Sequence, residues 1–350
     1  MMAMTTAPPA LPRISLGLYP TRSAPELVAL GRQAEALGLH RLWVADSHLL
    51  WREPYVLMGA IAGATTRIGL ASAVSNPLTR HPSVLAAAFR TLQELTGPEL
   101  TDQEDRVALG ISVGDSALRT LDLAPVTMAR LEVAIGEIRA LLGGATPAGW
   151  GEAGRLAYAA PDRPVPIWIA ATGPRMLHLA GRIADGVILM NGVAPALVQA
   201  ALDRVDAGAR AAGRSARPQV VVWAAAHASE TDPAASRRIV AYNVARAVLR
   251  AVPGRDALAL ETAARLAEAY DYRGHGDPQA AFADLVPDAL IPDYAFAGTP
   301  DDIARQIEAL GALGIEEVAL AIPETEGPAS GSRRAVLELL AARLIPTPLA

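Results

Sequence analysis

Short runs of Val, Ile and Leu alternate along the chain with longer Ala-, Leu- and Arg-rich segments whose apolar positions recur at helical spacing. A strand buried on both faces reads as a continuous apolar run and its crossover helix as a one-sided stripe, so this alternation predicts repeated strand-helix units around a parallel sheet. Eight strands are predicted: Ile14 to Tyr19, Arg41 to Ala45, Arg67 to Ala73, Arg106 to Ser112, Val165 to Ala170, Gly186 to Met190, Gln219 to Ala225 and Glu317 to Ile322. Between the first two, Ala24 to Leu37 places Leu27, Leu30, Ala34 and Leu37 on one stripe, and Gly38 supplies a C-terminal stop. Glu308 to Gly314 repeats that punctuation. The pattern fits an α/β fold of the (β/α)8 TIM-barrel type spanning residues 1–350 as one domain, with its chemistry at the C-terminal ends of the strands. A doubly wound sheet is the alternative.

Two stretches break the alternation. Gly143 to Pro164 is rich in Gly and Pro around Trp150 and Tyr158. Ser229 to Pro300 is too long for one crossover and contains helical segments at Arg237 to Arg250 and Ala257 to Tyr270. The second stretch is expected to be an insertion at the C-terminal mouth after strand seven, where it would shape a substrate pocket.

Composition narrows the chemistry. With 51% hydrophobic and 19% charged residues, the 350-residue chain reads as globular rather than disordered. It has no cysteine, which removes disulfides, thiol nucleophiles and thiolate zinc sites, and a reducing cytoplasm fits. All 31 basic residues are arginine, so lysine Schiff bases and P-loop lysines are excluded. The net charge of −5 and the scattered arginines argue against a nucleic-acid surface. The longest uncharged stretch, Gly186 to Leu202, is interrupted by Asn191, Gly192, Pro195 and Gln199, so no membrane span is expected. Met1 to Pro12 lacks a basic start and an apolar run, so no secretory signal is expected either. A small-molecule partner remains.

The predicted strand ends carry the candidate chemistry. Strand two delivers Asp46 and His48, a carboxylate and an imidazole, although Asp46 can equally cap a helical turn. Strand three runs into Ala73, Val74, Ser75 and Asn76, small residues that let a ligand approach, before Pro82 opens a helix to Leu95. Strand four ends in Gly114-Asp115-Ser116, which offers an acid but falls short of a dinucleotide fingerprint. Strand five ends in Ala171-Thr172-Gly173-Pro174-Arg175 ahead of a helix beginning near Met176, where unpaired amides favour an anion, and strand six ends in Asn191-Gly192. His40, His48, His81, His178, His227 and His275 show no metal-site spacing, so no metal is expected.

In order along the chain, WVADSHLLWREPY, SAVSNPLTRHPSV, ALGISVGDSALRTL and PIWIAATGPRMLHLAGRIADGVI resemble the luciferase-like flavin and deazaflavin oxidoreductase superfamily. The resemblance is strongest to its coenzyme F420-dependent methylenetetrahydromethanopterin-reductase-like branch, over about Ile14 to Val193 and again from Phe296 to Ile322. It implies a cofactor ring at the barrel mouth against a bulged third strand, with a non-prolyl cis peptide at Ala73-Val74. It places Asp46, Ala73, Val74, Ser75 and Asn76 around the ring, and Ala171, Thr172, Gly173, Asn191 and Gly192 at the phosphate-bearing tail, with Arg175 in support. Asp115 becomes the first candidate for handling a proton, with His48 second and Asp46 also at the reactive edge.

The implied activity is hydride exchange between F420 and a small organic substrate, in a homodimer. An FMN-dependent monooxygenase is the alternative, and a non-catalytic cofactor-binding protein stands third. One departure is the long acidic turn from Thr96 to Arg106, where relatives have a compact turn.

Overall fold

The computed structural model describes residues 11–97, 106–158, 163–250, 253–271, 274, 277, 279–325 and 332–345. Most of the acidic turn, part of the Gly143 to Pro164 stretch and His275 lie outside the described residues. The strands are β1 (Arg13–Leu18), β2 (Arg41–Val44), β3 (Gly69–Ser72), β4 (Val107–Ile111), β5 (Ile167–Ala171), β6 (Gly186–Leu189), β7 (Gln219–Ala228), β8 (Phe296–Gly298) and β9 (Glu317–Ala321). All but β8 form a closed cylinder in which β1 through β7 pair in sequence and β9 joins β7 to β1, every pairing parallel. This is a TIM barrel, and each of its eight staves overlaps one of the runs predicted from hydrophobic patterning. The short β8 was not predicted. It pairs outside the cylinder with the last residues of β7, Ala226 to Ala228, which run past the barrel rim.

Crossover helices coat the barrel: α1 (Ala24–Ala36), α2 (Pro54–Ala62), α3 (Pro82–Thr96), the single turn α4 (Ser116–Arg119), α5 (Met128–Leu142), α6 (Pro174–Ile183) and α7 (Pro195–Ala211). Their apolar stripes bury Leu27, Leu85, Phe89, Ile135 and Val198 against the outward faces of the strands. Pro82 takes the first helical turn of α3, where a missing N–H costs nothing. Between β7 and β8 run α8 (Pro233–Leu249), α9 (Ala257–Ala269) and the short α10 (Ile291–Tyr294), which pack a second apolar cluster around Val240, Val248, Phe282 and Tyr294. The last crossover is α11 (Pro300–Ala312), and α12 (Arg333–Leu344) follows β9.

The barrel interior is filled by Trp43, Trp168 and Trp223 interleaved with Ala71, Ala108, Ala319 and Ala321. At the N-terminal end, the buried Glu317 accepts hydrogen bonds from Ser15 Oγ (2.5 Å), Trp43 Nε1 (2.6 Å) and Arg41 Nη1 (3.0 Å). Ser15 comes from β1 and Arg41 and Trp43 from β2, so Glu317 of β9 ties neighbouring staves together and seals this end, with Arg41 Nε left buried without a hydrogen bond. At the opposite end β3 stops at Ser72, and the chain rejoins β4 only at Ser75, whose N–H donates to Gly110 O and whose carbonyl accepts from Ser112 N–H. The intervening Ala73-Val74 peptide is cis, as the resemblance implies. Gly110 is required opposite this bulge, because a Cβ there would stand 1.9 Å from the Ser72 carbonyl oxygen.

Candidate active site

A cavity of about 450 Å³ opens at the C-terminal ends of the strands, within the roughly 300–1,000 Å³ typical of small-molecule sites. Tyr19 follows β1, Asp46 and Ser47 follow β2, Val74 and Asn76 follow β3, and Gly114 to Ser116 follow β4. Thr172, Met190 and Trp223 come from β5, β6 and β7, while α8 and its C-terminal cap add Arg246, Leu249 and Arg250. Ala45, Ala73 and Ala170 keep the strand-end walls low, which leaves a slot between larger side chains.

The third-strand wall is held by a polar cluster. Arg80 grips Asp46 with two hydrogen bonds, Nε to Oδ2 at 2.7 Å and Nη2 to Oδ1 at 3.0 Å, and reaches Glu53 at 2.7 Å. Ser75 Oγ donates to Asp46 Oδ2 at 2.8 Å and also meets the Tyr55 hydroxyl. The guanidinium lies over the Tyr55 ring, 4.3 Å from its centroid. Burial, reinforced by the Asp46 charge, pushes the Tyr55 phenol well above its ordinary range and keeps it protonated. Asp46 is itself buried, and both its oxygens are engaged, so it acts here as an anchor of the wall.

The fourth strand presents Asp115 on a turn that needs Gly114, whose φ of 84° belongs to the left-handed region. Asp115 sits at the N-cap position of α4 without a side-chain capping bond. Its carboxylate pairs with Arg119 at 2.8 Å and with Arg246 of α8, so it bridges the barrel rim to the segment above it. Ser47 Oγ and Ser116 Oγ, 2.7 Å apart, link the neighbouring loops. On the opposite side Tyr19 lies 4.9 Å from Trp51 and 6.0 Å from Trp223 between ring centroids. Burial raises the Tyr19 phenol, which therefore remains a hydrogen-bond donor.

At the fifth and sixth strand ends, Asn191 is fully buried and donates Nδ2 to the Thr172 carbonyl at 2.9 Å, while its Oδ1 has no partner. Gly173 is the N-cap of α6 and makes no side-chain bond to the helix, and Pro174 opens its first turn. Gly192 has φ 108°, and a Cβ there would come within 2.6 Å of the Asp293 carbonyl.

Of the residues singled out in the sequence, Asp46, Ala73, Val74, Asn76, Asp115 and Thr172 border the cavity. Ser75, Ala171 and Asn191 are buried at the strand ends, and Gly192 borders a small adjoining hollow. Three are placed elsewhere, of which Gly173, at the N-cap of α6, is half-buried and lines neither the cavity nor the hollow. His48 is partly exposed and does not line the cavity. Arg175 is exposed and lines an outer groove with His178, Arg182 and Arg204. Sequence reading missed Arg80, Tyr55, Tyr19, Ser47, Trp223 and the arginines of α8. Arg80 stood within a quoted motif, but its partner Asp46 lies 34 residues away, and nothing local announces that pairing.

A closed parallel barrel with polar, aromatic and charged groups converging on one cavity at the strand C-termini has the build of a barrel enzyme that holds a small molecule in its mouth. The chain belongs to the luciferase-like monooxygenase family, whose description matches residues 5–317. It is 29% identical over 307 residues to 5,10-methylenetetrahydromethanopterin reductase of Methanolobus tindarius, covering 83% of this chain and 88% of that protein. It is 35% identical over 207 residues to the F420-dependent glucose-6-phosphate dehydrogenase of Nakamurella multipartita, covering 54% of this chain and 59% of the relative. Among solved structures, the coenzyme F420-dependent tetrahydromethanopterin reductase of Methanopyrus kandleri superposes with a TM-score of 0.74 at 24% identity, covering 96% of this chain and 99% of that one. That last likeness concerns the fold. No helix among the described residues is long and apolar enough to cross a membrane.

Proposed function

We propose that the protein is an F420-dependent oxidoreductase that exchanges hydride between the deazaflavin and a small organic substrate. The observation that carries this reading is the mouth cavity itself, a low-walled slot between larger side chains with Thr172 on its β5 side. The relatives named for F420 support the choice of carrier. The residues present fit such a group: Ala45, Ala73 and Ala170 leave width for a flat ring, and the first-turn amides of α6 beside Thr172 favour a phosphate. Asn191 Oδ1, a buried acceptor lacking a donor, suits a hydroxyl of the chain between ring and phosphate.

When bound, F420 supplies a two-electron hydride carrier at C5 of its ring. The protein's part is positioning and proton control. The Asp46, Arg80, Ser75 and Tyr55 cluster fixes the bulged wall, with Asp46 as its buried anchor. Asp115, paired with Arg119 and Arg246 at the mouth, is placed to hold or release the proton that accompanies hydride exchange. Met190, Trp223 and α8 cover the slot from the far side and limit water. His48 is a secondary candidate, since its side chain would have to turn toward the mouth. The family resemblance supports a homodimer, and cysteine-free composition supports a cytoplasmic setting.

The test is reconstitution. Saturable binding of F420 with spectral change and hydride turnover, and neither with FMN, is the expected result. Oxygen consumption with reduced FMN would instead make the protein a monooxygenase, and binding without turnover over a broad substrate panel would make it a carrier-binding protein.

A further inference from the structure

Arginine outnumbers carboxylate among the side chains lining the cavity, and two of the arginines, Arg119 and Arg246, share Asp115. Three arginines, Arg119, Arg246 and Arg250, line the cavity against two carboxylates, Asp46 and Asp115, and both oxygens of Asp46 are taken by Arg80 behind the wall. Arg246 and Arg250 are four residues apart, so they stand on the same side of α8 and its cap. Both also border the small hollow that continues the cavity upward beside Asn243. Asn243 Oδ1 faces the Tyr19 hydroxyl at 3.5 Å, while its Nδ2 is buried without an acceptor. A buried amide donor left unsatisfied is costly unless a ligand oxygen completes it. Below these donors lie the rings of Tyr19, Trp51 and Trp223.

We propose that α8 forms a charge-selective substrate subsite: Arg246, Arg250 and Asn243 receive an anionic oxygen group while Tyr19, Trp51 and Trp223 hold a flat apolar body. The substrate class is therefore an organic anion with an aromatic or unsaturated skeleton, which deepens the hydride-transfer reading above and rests on it. Arginine suits this task because its planar fork gives two parallel hydrogen bonds to a carboxylate or phosphate and still has donors to spare for Asp115. The tail of the carrier is assigned instead to the Thr172 side at the end of β5, with Gly192 at the end of β6 bordering the same small hollow as Arg246 and Arg250.

Benzoate and benzamide have the same ring and differ in charge, which makes them a matched pair of probes. Calorimetric titration of the F420-loaded protein is expected to show benzoate binding at least about tenfold tighter than benzamide, the worth of one charge-assisted bond. That preference should shrink with added salt, vanish in Arg250→Gln and persist in Arg250→Lys. F420 affinity should stay within about twofold of wild type in both variants, because α8 does not hold the tail. Equal or undetectable binding of the two probes by the wild type, or a preference that survives Arg250→Gln, overturns the subsite. So does a fall in F420 affinity in Arg250→Gln, which would reassign these arginines to the tail. Repeating the titration on carrier-free protein separates the two claims. A benzoate preference there, in a chain that never binds F420, keeps the subsite and removes the proposed reaction.

Discussion

At the sealed end of the barrel Glu317 faces Arg41, Ser15 and Trp43; at the open end Asp46 faces Arg80 and Ser75. Both carboxylates are buried and both are matched by a guanidinium. What differs is the surroundings. Around Glu317 tryptophan fills the space, so the acid's whole effect is on stability. Around Asp46 alanines leave the space empty, so the same pairing becomes a rigid edge for a ligand. An ion pair therefore carries no function by itself; the volume left beside it decides.

Glu317→Leu should do the most damage, lowering unfolding free energy by about 3–5 kcal/mol because Arg41 is left charged and buried. Urea denaturation measures this, and a loss below about 1 kcal/mol would erase the contrast between the two ends. Burial by itself would raise the Glu317 pKa, but Arg41, His40 and the bonds from Ser15 and Trp43 outweigh it and hold the pKa below the ordinary 4.5. A depressed carboxylate stabilises fully above its unfolded value and loses that contribution as pH falls through its folded value. Acid titration of stability should thus show a loss beginning below 4.5 that is absent in Glu317→Leu.

Asp46→Asn is expected to cost less, about 1–3 kcal/mol, since Arg80 keeps Glu53 and the face of Tyr55. Its distinguishing effect is on the carrier: F420 affinity should fall about tenfold or more as the wall relaxes. If affinity is untouched, Asp46 belongs with Glu317 as a purely structural acid. Asp115→Asn sharpens the comparison further, because its carboxylate is 36% exposed. Stability should change by under about 1 kcal/mol, whereas single-turnover hydride exchange should slow by about a hundredfold with F420 affinity nearly unchanged. Smallest of all, Arg175→Ala should weaken F420 by at most about threefold, and only at low salt, consistent with an exposed contact to the outer end of an anionic tail.

The barrel was legible because each stave is a compact run of β-branched and apolar residues flanked by helix signals. Phe296 to Gly298 escaped because three residues show no period, and Ala226 to Ala228 escaped because alanines continue a strand as readily as they start a loop. Asp46, Asp115 and the small residues of strand three were legible as strand-end chemistry. Their partners were not: Arg80 and Arg246 reach them across folds of the chain that no local pattern encodes. His48 shows the remaining limit, since a loop position fixes a neighbourhood but not the direction of a side chain.

The overhang of β7 beyond the rim has a last consequence. Ser229 N–H donates to the Gly298 carbonyl at 3.0 Å, so the chain departs toward α8 and comes back from β8 through one shared doorway. The segment between is tied back to the rim at Asp293, whose carbonyl accepts from the Val193 and Ala194 N–H groups, and at Arg246 on Asp115, so exchanging the arginines of α8 reshapes the barrel mouth along with the segment.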